Sequence, residues 1–238
     1  MRRILIISAL LMAVAFSLTA QDRRGLLLKQ GSSTPSGIAF VASTTNEIAA
    51  AASVSMTVPS GTVAGGVLLF FCATDSVNDL NSLPSGFTLV ESNALASAGF
   101  SAAYKYTDGT EGSSLNFGFS ATELGAAVLL FYSGVNASPF EADAVEEAAP
   151  GAGVAHTTAA ITPSQNNSML VGVIYIDPAA SQTFTEVSGF PIRAQCYRAA
   201  NGSLCVAEKL QTTATSQGVQ ITESVGGSWG EYTLVLKP

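Results

Sequence analysis

The chain has 238 residues and a formal net charge of −7, with 11% charged side chains against 47% hydrophobic ones. Soluble domains ordinarily carry about 25% charged residues, so the composition favours surfaces that pack against neighbours or face an extracellular setting over a solvated cytoplasmic enzyme. Beyond residue 29, sixteen acidic side chains are accompanied by only five basic ones. Such a body repels phosphate backbones, which argues against nucleic acid as a partner.

The first twenty residues have the pattern of a secretory signal peptide. Arg2 and Arg3 precede the apolar run Ile4–Phe16, and small residues follow up to Ala20. The run is short for a membrane span, which needs about 20 apolar residues. We therefore expect residues 1–20 to be a signal peptide, with an uncleaved anchor or an arm buried in an assembly as alternatives. A signal peptide implies an extracytoplasmic protein, either secreted or on a cell surface.

A basic and apolar segment occupies residues 21–36 and ends in a Gly/Ser/Thr/Pro linker. Its candidate assembly residues are Arg23, Arg24, Leu26, Leu27, Leu28 and Lys29. The segment is either a flexible mature N-terminus or an arm that adds a strand to a sheet edge of a neighbouring subunit. The second interpretation follows from the leucine triplet, which in the exposed state normally requires a partner.

From residue 37 onward the pattern predicts strands and no helix. The strands of the first part are predicted over Gly37–Ser43, Val54–Pro59, Val67–Thr74, Phe87–Glu91, Gly99–Thr107, Ser114–Ser120 and Gly125–Ser133. The Ala-rich stretch 46–53 is ambiguous. The sequence VLLFFCAT at Val67–Thr74 is a continuous β-branched and aromatic run, as expected of a strand buried on both faces.

An acidic, Gly/Pro-rich segment over residues 136–158 is expected to connect two halves, with room for one strand inside it. Beyond it, strands are predicted over Met169–Ile176, Gly189–Gln195, Cys196–Ala200, Leu204–Leu210, Val219–Ser224 and Glu231–Leu236. The acidic residues of the connection, Glu141, Asp143, Glu146 and Glu147, are interpreted as a solvated loop.

The second set of strands repeats the first at a nearly constant distance along the chain. Pro163 follows Pro59, and Lys209 follows Lys105, by 104 residues in each case. An offset of this kind across several elements predicts a duplicated unit. Strands punctuated by Gly and Pro place it among antiparallel, jelly-roll-like β-sandwiches. We expect one body over 37–238, built of two similar halves at about 37–135 and 158–238.

Several short motifs of the body are shared with a known group of modules. They are Thr57-Val58-Pro59-Ser60-Gly61 before the first apolar run, Pro84-Ser85-Gly86-Phe87-Thr88-Leu89-Val90, Tyr104-Lys105-Tyr106, Tyr132-Ser133-Gly134-Val135 before the acidic segment, and Trp229 in the closing strand. The body resembles the β-sandwich modules of bacteriophage virion proteins and of secreted bacterial surface proteins. The resemblance implies a structural role and carries over no catalytic residue.

Candidate metal ligands are sparse. Asp75, Asn78 and Asp79 crowd one segment and could supply oxygen ligands to Ca²⁺, although Asp and Asn also favour turns for backbone reasons. No other cofactor is predicted. His156 is the only histidine and is expected to be a solvent-exposed loop residue, so a nucleophile–histidine pair is not indicated.

The cysteines suggest one possible disulfide. If Asn201-Gly202 forms a two-residue turn, Arg198 lies opposite Cys205, and Cys196 lies diagonal to Cys205 on the same face. A one-residue bulge would then bring the two sulfurs together. A Cys196–Cys205 disulfide is therefore a candidate in an exported protein, with two small buried hydrophobes as the alternative. Cys72 is expected to be a buried free thiol.

These observations favour a non-enzymatic structural protein that assembles on a virion or a cell surface by self-association with like or neighbouring subunits. The alternative is an exported adhesive or carbohydrate-binding module that recognises a glycan or a cell-surface ligand. In that case the binding loops would be 75–85 and 136–158. A hydrolase with a dispersed acidic pair ranks last.

Overall fold

The structure is a computed structural model that describes residues 37–75, 80–94, 99–138, 140–147, 155–177, 182–198, 202–224 and 228–238. At 93–94, 141–147, 177 and 228 only the backbone is described. The predicted leader and the predicted assembly arm therefore lie outside the described residues. Within the described ranges all regular structure is β, which confirms the all-β prediction. No helix in those ranges has the length and hydropathy needed to cross a membrane.

The strands of the first half are β1 (Ala39–Thr57), β2 (Val67–Thr74), β3 (Leu80–Ser82), β4 (Thr88–Ala94), β5 (Gly99–Tyr106) and β6 (Ser114–Ser133). Those of the second half are β7 (Phe140–Glu147), β8 (Ala155–Thr157), β9 (Ser168–Asp177), β10 (Phe184–Glu186), β11 (Ile192–Tyr197), β12 (Ser203–Gln211), β13 (Gln220–Glu223) and β14 (Ser228–Leu236).

Two long strands replace four predicted shorter ones. β1 and β6 pair along their whole lengths, with register shifts between Ala49 and Ala51 and between Ala51 and Ser53. Ala50 at this bend has a φ of 51°. The ambiguous Ala-rich stretch is thus a bulged bend in one continuous strand. It separates inner limbs (39–49 of β1 and 124–133 of β6) from outer limbs (53–57 and 114–118).

All strand pairs are antiparallel and form three sheets. Sheet A has the order β1-β6-β2-β5-β4, with β3 added on β6. Sheet B has the order β11-β12-β9-β14-β7, and the small sheet C has the order β10-β13-β8. The architecture is therefore a β-sandwich with additional outer layers.

The strand order of the first half recurs in the second. The order β7-β14-β9-β12-β11 of sheet B corresponds to the order β1-β6-β2-β5-β4 of sheet A, in which β1 and β6 contribute their inner limbs. In sheet C, β8, β13 and β10 take the places of the outer limbs and β3. Within each half, the first, eighth, third and sixth segments share one sheet and the second, seventh and fourth share the other, as in a jelly roll. The fifth segment, β4 or β11, departs from that arrangement because it pairs with the sixth at the edge of the first sheet.

Sheets A and B pack face to face around a central core. Leu69 and Phe71 of β2 face this core together with Val171 and Val173 of β9. The rings of Phe100 and Tyr175 stack across it with centroids 4.5 Å apart. The jelly rolls therefore share one hydrophobic interior instead of each enclosing a separate one.

Each central sheet is also covered on its other face. Leu68 and Phe70 of β2 lie beneath the outer limbs, where the ring of Phe117 stacks on that of Phe70 at a centroid distance of 3.6 Å. Leu170 and Ile174 of β9 lie beneath sheet C. The burial of β2 on both faces, predicted from its apolar run, is confirmed.

The segment expected to be an acidic connecting loop instead supplies two strands. β7 pairs with β14 at the edge of sheet B, and β8 pairs with β13 in sheet C. The sequence FEADAVEE of β7 places acidic residues among Ala, Val and Phe, a composition that an edge strand tolerates. The composition of the segment predicted a loop. The segment forms strands because its pairing partners, β14 and β13, lie in a later part of the chain.

Replacing Phe117 with Ala should destabilise the protein by about 3–5 kcal/mol, because it removes the ring that holds an outer limb on sheet A. Urea unfolding followed by tryptophan fluorescence measures this loss. Leu89→Ala is the matched control, since Leu89 is 40% exposed and surface changes usually stay within about 0.5 kcal/mol. Equal losses in the two variants would contradict the packing of this layer.

Candidate functional site

The single histidine is buried between sheets B and C, so the expectation of an exposed loop residue is wrong. His156 is the one side chain of the three-residue strand β8 that points inward, and it is 2% exposed. Its Nε2 lies 3.1 Å from Oε1 of Glu223, and its Nδ1 lies 3.9 Å from Oε1 of Glu231. The edge of the ring meets the indole of Trp229 with centroids 4.4 Å apart.

Three strands bring these groups together, and we call His156, Glu223 and Glu231 the histidine cluster. β13 pairs with β8 through Ile221 and His156, which places Glu223 on the same inward face two residues further on. β14 lies across the interface and presents Glu231 from sheet B. Both carboxylates are almost fully buried, with side-chain exposures of 0% and 1%. Burial of charged groups is costly unless they are paired.

The histidine cluster has no counterpart in the first half. Val54 pairs with Phe117 in the first half as His156 pairs with Ile221 in the second. The aliphatic side chain of Val54 therefore occupies the position of the histidine. Ala127 pairs with Cys72 as Glu231 pairs with Ile174. The described contacts that cover sheet A at these places are mainly apolar, although the carboxylate of Glu123 in β6 is also buried in this half. The jelly-roll scaffold therefore does not require the polar cluster.

The geometry of the histidine cluster does not suit a metal ion. Its two carboxylates approach opposite nitrogens of the imidazole, so no single cation could contact both of them and the ring. Among the residues that the structure describes, no group of three or more His, Cys, Asp or Glu side chains could hold a metal.

A second buried charge pair joins β11 to β12. Nε and Nη2 of Arg193 donate to Oε1 of Glu208 over 2.7 and 2.6 Å. The guanidinium also lies over the ring of Phe40, 4.9 Å from its centroid, in cation–π geometry. Burial, and then the nearby Glu208 carboxylate, raise the pKa of Tyr132 well above its usual range. Because Phe40 and Tyr132 belong to sheet A, this pair ties the edges of the two central sheets together.

Side chains of β11 and the residue after it cap carbonyls of the β1 edge. Sγ of Cys196 donates to the carbonyl of Asn46 over 3.3 Å, and Nη1 of Arg198 donates to the carbonyl of Ile48 over 2.8 Å. In the other direction, Oγ of Ser43 donates to the carbonyl of Arg193 over 2.7 Å. An edge whose acceptors are already occupied is a poor template for an added strand.

The same edges border an open groove. Two depressions of about 600 and 410 Å³ share Thr45 and Gln195 and so form one continuous surface feature. The remaining lining residues are Ser43, Thr44, Thr57, Ile192, Arg193, Ala194, Asn46, Glu47, Cys196 and Tyr197. Several of their polar atoms are engaged within the fold; for example, Oγ1 of Thr44 donates to the carbonyl of Thr57 over 2.6 Å.

The register of the β11–β12 hairpin differs from the predicted one. Gln195, and not Arg198, lies opposite Cys205, and Cys196 lies opposite Leu204. Cys196 therefore faces the central core, whereas Cys205 faces the core beneath sheet C. The difference arises because Tyr197 pairs with Ser203, which leaves five residues in the turn instead of two.

All three cysteines are free thiols. The two hairpin sulfurs, on opposite faces of one sheet, are not placed for a disulfide. Cys72 is a buried free thiol, as expected, and burial raises its pKa to about 12. Burial likewise raises the pKa of Cys196 and that of Cys205.

Of the three calcium candidates, the structure describes Asp75 alone. Oδ1 of Asp75 accepts a hydrogen bond from the backbone N of Leu124 over 3.0 Å, and the N of Asp75 donates to the carbonyl of Leu124 over 2.9 Å. Asp75 thus links the end of β2 to β6. Asn78 and Asp79 lie outside the described residues, so the calcium site stays a prediction.

Three of the five large apolar side chains that are exposed among the described residues lie at one end of the sandwich. Val63, Tyr106 and Leu210 are 56%, 37% and 45% exposed, and we call this region the apolar end. Tyr106 pairs with Val67 at the start of β2. Leu210 pairs with Met169 near the start of β9. Tyr106 and Leu210 therefore occupy corresponding places in the two halves.

Two contacts place these three residues at the same end of the molecule. The rings of Tyr104 and Phe140 meet edge to face at 4.3 Å, which joins the start of β2 to the start of β9. Oγ1 of Thr107 donates to the carbonyl of Val63 over 2.5 Å, so Val63 lies beside the end of β5. The described chain also begins here, because Ala39 pairs with Ser133 at the same end of sheet A.

Comparisons with known proteins add little. No family model matches the sequence, and no curated protein matches it. Among solved structures, the STIV MCP crystal structure aligns with a TM-score of 0.24 and 9% identity, over 84% of this chain and 95% of that one. A TM-score this low supports no inference about fold or function.

Mass spectrometry of protein purified without reductant should find three free thiols and no loss of two hydrogens. In the native state Cys72 and Cys205 should resist alkylation, because burial keeps them protonated and inaccessible. The urea-unfolded protein is the control, and all three residues should react there. An alkylation-resistant pair that becomes reactive only after reduction would show instead that Cys196 and Cys205 are linked.

Arg193→Met should destabilise the protein by about 2–4 kcal/mol, because it leaves the Glu208 carboxylate buried without its partner. Arg198→Met is the matched control, since its ion pair with Glu47 spans 3.8 Å and Glu47 is exposed, so about 1 kcal/mol or less is expected. Urea titrations of both variants give the comparison. Adding Glu208→Gln to Arg193→Met should recover part of the loss, and no recovery would argue against the charge as the cause.

Proposed function

We propose that this chain is a non-enzymatic structural protein of a virion or a cell-surface structure, and that it self-associates through the apolar end. The observation that carries the proposal is the exposure of Val63, Tyr106 and Leu210 at one end of a sandwich whose central sheets are covered on both faces. Clustered exposed apolar residues commonly mark protein–protein contact sites.

The charge distribution supports a second contact between subunits. Residues 21–29, which contain the predicted arm, hold three basic side chains and one acidic one, whereas residues 30–238 hold five basic and sixteen acidic ones. A basic, leucine-containing segment and an acidic body are complementary between copies. The predicted arm Arg23–Lys29 would in this way strengthen the association made by the apolar end.

The fold is compatible with this role by analogy only. Jelly rolls recur in viral capsid domains and in lectin domains, and a fold by itself does not fix function. The groove between β1 and β11 presents hydroxyl and amide groups with Tyr197 as its one aromatic side chain. Sugar platforms usually rely on several exposed aromatic rings, so the structural role is preferred over the glycan-binding alternative.

The environment of His156 supports a non-enzymatic role. His156 is enclosed on both sides by carboxylates and covered by Trp229. A general base must come within hydrogen-bond reach of a substrate proton, and this imidazole has no open approach from solvent.

Sedimentation velocity over a range of protein concentrations tests the association. Wild-type protein should form concentration-dependent oligomers, and the double variant Tyr106→Ser with Leu210→Ser should shift toward monomer by about tenfold or more in dissociation constant, because buried apolar area is lost. Leu89→Ser is the matched control, since Leu89 is 40% exposed and lies on the edge strand β4, where it pairs with Ala103. Monomeric wild-type protein at high concentration would refute the proposal.

Deleting residues 21–30 tests the contribution of the predicted arm independently of that of the apolar end. If the arm contributes, the deletion should weaken association and make the remaining association less sensitive to salt, because charge complementarity is screened by ions. An unchanged dissociation constant would remove the arm from the proposal and leave the apolar end in place. Negative-stain microscopy of the native source distinguishes a virion from a cell-surface assembly.

A further inference from the structure

The two lateral sides of the sandwich are closed to different degrees. On one side, β1 of sheet A and β11 of sheet B lie close together, and hydrogen bonds from Ser43 and Cys196 link them. On the other side, the corresponding strands are β7 of sheet B and β4 of sheet A. Among the described residues, these two strands scarcely approach each other. The sandwich is therefore more open at its β4–β7 side.

Strand edges other than that of β7 are occupied, irregular or short. In β1, the side chains of Thr44 and Asn46 donate to backbone carbonyls of the outer limb. β4 has a register shift between Leu89 and Glu91, and the N–H of Ser92 donates to a carboxylate oxygen of Glu91. The edge strands β8 and β10 of sheet C have three residues each. Such edges are poor templates for an added strand.

β7 offers a longer and more regular edge. It has eight residues, pairs with β14 on one side only, and keeps its register from Ala142 to Glu147. Among the described residues, the side-chain hydrogen bonds that cap the β1 edge have no equivalent on β7. The N–H and C=O groups along an edge strand can pair with a further strand. The backbone of β7 is therefore suited to accept one.

The charge of β7 restricts which strand can pair with it. Its sequence FEADAVEE contains four acidic residues and no basic one. Acidic residues on an edge repel a second acidic strand, which disfavours pairing between two copies of β7. Residues 23–29, with the sequence RRGLLLK, hold three of the ten basic residues of the chain. This segment, the predicted arm, has the charge that complements β7.

The position of the chain start favours pairing between two copies. Residues 30–36 link the arm to Gly37 at the apolar end, and seven extended residues span at most about 24 Å. The chain's own β7 lies four strand spacings from β11, about 19 Å across sheet B, so its own arm would reach it only when nearly taut. β7 also begins at the apolar end, where Phe140 contacts Tyr104. Two copies joined at their apolar ends, with a twofold axis normal to the sheets, bring each chain start beside the partner's β7.

We propose that the arm of one copy, residues 23–29, pairs with the β7 edge of a second copy and extends sheet B by one strand. This inference rests on the proposed self-association at the apolar end and specifies the acceptor of the arm. Backbone hydrogen bonds to β7 form the pair, and the acidic residues of β7 select the basic arm. The three leucines of the arm gain apolar contacts at the open β4–β7 side.

Carbodiimide cross-linking of the full chain tests the acceptor. An equal mixture of isotope-labelled and unlabelled protein is treated under associating conditions, so that amide bonds form between lysines and the carboxylates they contact. Lys29 should couple to acidic residues of β7, in products that join a labelled chain to an unlabelled one. Products within single chains only would show that the arm folds back on its own β7. Coupling of Lys29 to Glu91 or Asp108 instead would place the arm elsewhere, and either result overturns the proposal.

Hydrogen exchange below and above the association midpoint gives an independent readout. Protection of the amides in β7 should rise by about tenfold or more on association, whereas protection in β4 should stay constant. The variant Arg23→Glu with Arg24→Glu should abolish this rise, because like charges then meet across the pair. Adding Glu146→Lys and Glu147→Lys should restore it, whereas adding Glu91→Lys on β4 should not. Unchanged exchange in β9 and β14 verifies that each variant is folded.

The outcomes separate this inference from the proposed function. Wild-type protein that sediments as a monomer at high concentration overturns both. Protein that associates through the apolar end, but without cross-links to β7 and without added protection there, overturns the pairing of the arm alone. Restored protection in the charge-swapped variant supports the pairing, because a change in the apolar end would not depend on matched charges at these two segments.

Discussion

The constraint on which the fold depends is that both central sheets are buried on both faces. Sheet A and sheet B supply one core between them, and each needs a further layer to shield its other side. A strand in such a position must be apolar at successive residues, as β2 is from Val67 to Ala73. The outer limbs and sheet C cover these outer faces. The jelly-roll connectivity places them there without a long crossover connection.

The buried charged side chains among the described residues include Glu123 of β6, Glu208 with its partner Arg193, and the histidine cluster. Arg193 and Glu208 lie at the β1–β11 edge, and the histidine cluster lies between sheets B and C. Buried ionic groups add little net stability compared with apolar packing. Their value here is positional, because the histidine cluster brings together groups from sheets B and C, and Arg193 contacts both Glu208 of sheet B and Phe40 of sheet A. The first half obtains its alignment from continuous strands and has no such cluster at the corresponding place.

The sequence predicted the elements that depend on local pattern. The apolar run of β2, its repeat in β9 and the recurrence of Lys105 and Lys209 all have structural causes. The stem of Lys105 lies close to Gly86, and the ammonium of Lys209 lies close to Gly189, each the glycine of a Ser-Gly-Phe turn where φ is positive. The sequence pattern could not predict which residues from distant parts of the chain contact each other in the fold. His156 is a lone polar residue in a small-residue segment, and its carboxylate partners stand far along the chain on other strands. The predicted hairpin register was also wrong, because Tyr197 pairs with Ser203 and five residues separate the two strands where a two-residue turn was expected.

The shared central core has a consequence for how the chain is made. The first jelly roll is complete in sequence before the second has been synthesised, yet one face of sheet A, including Leu69 and Phe71, is covered only by sheet B. During translation that face is exposed to water, and the sheet B of another chain would fit it as well as the chain's own. Multidomain proteins of this kind are prone to exchange halves during folding. The short connection between β6 and β7 counters this, because it raises the local concentration of the correct partner.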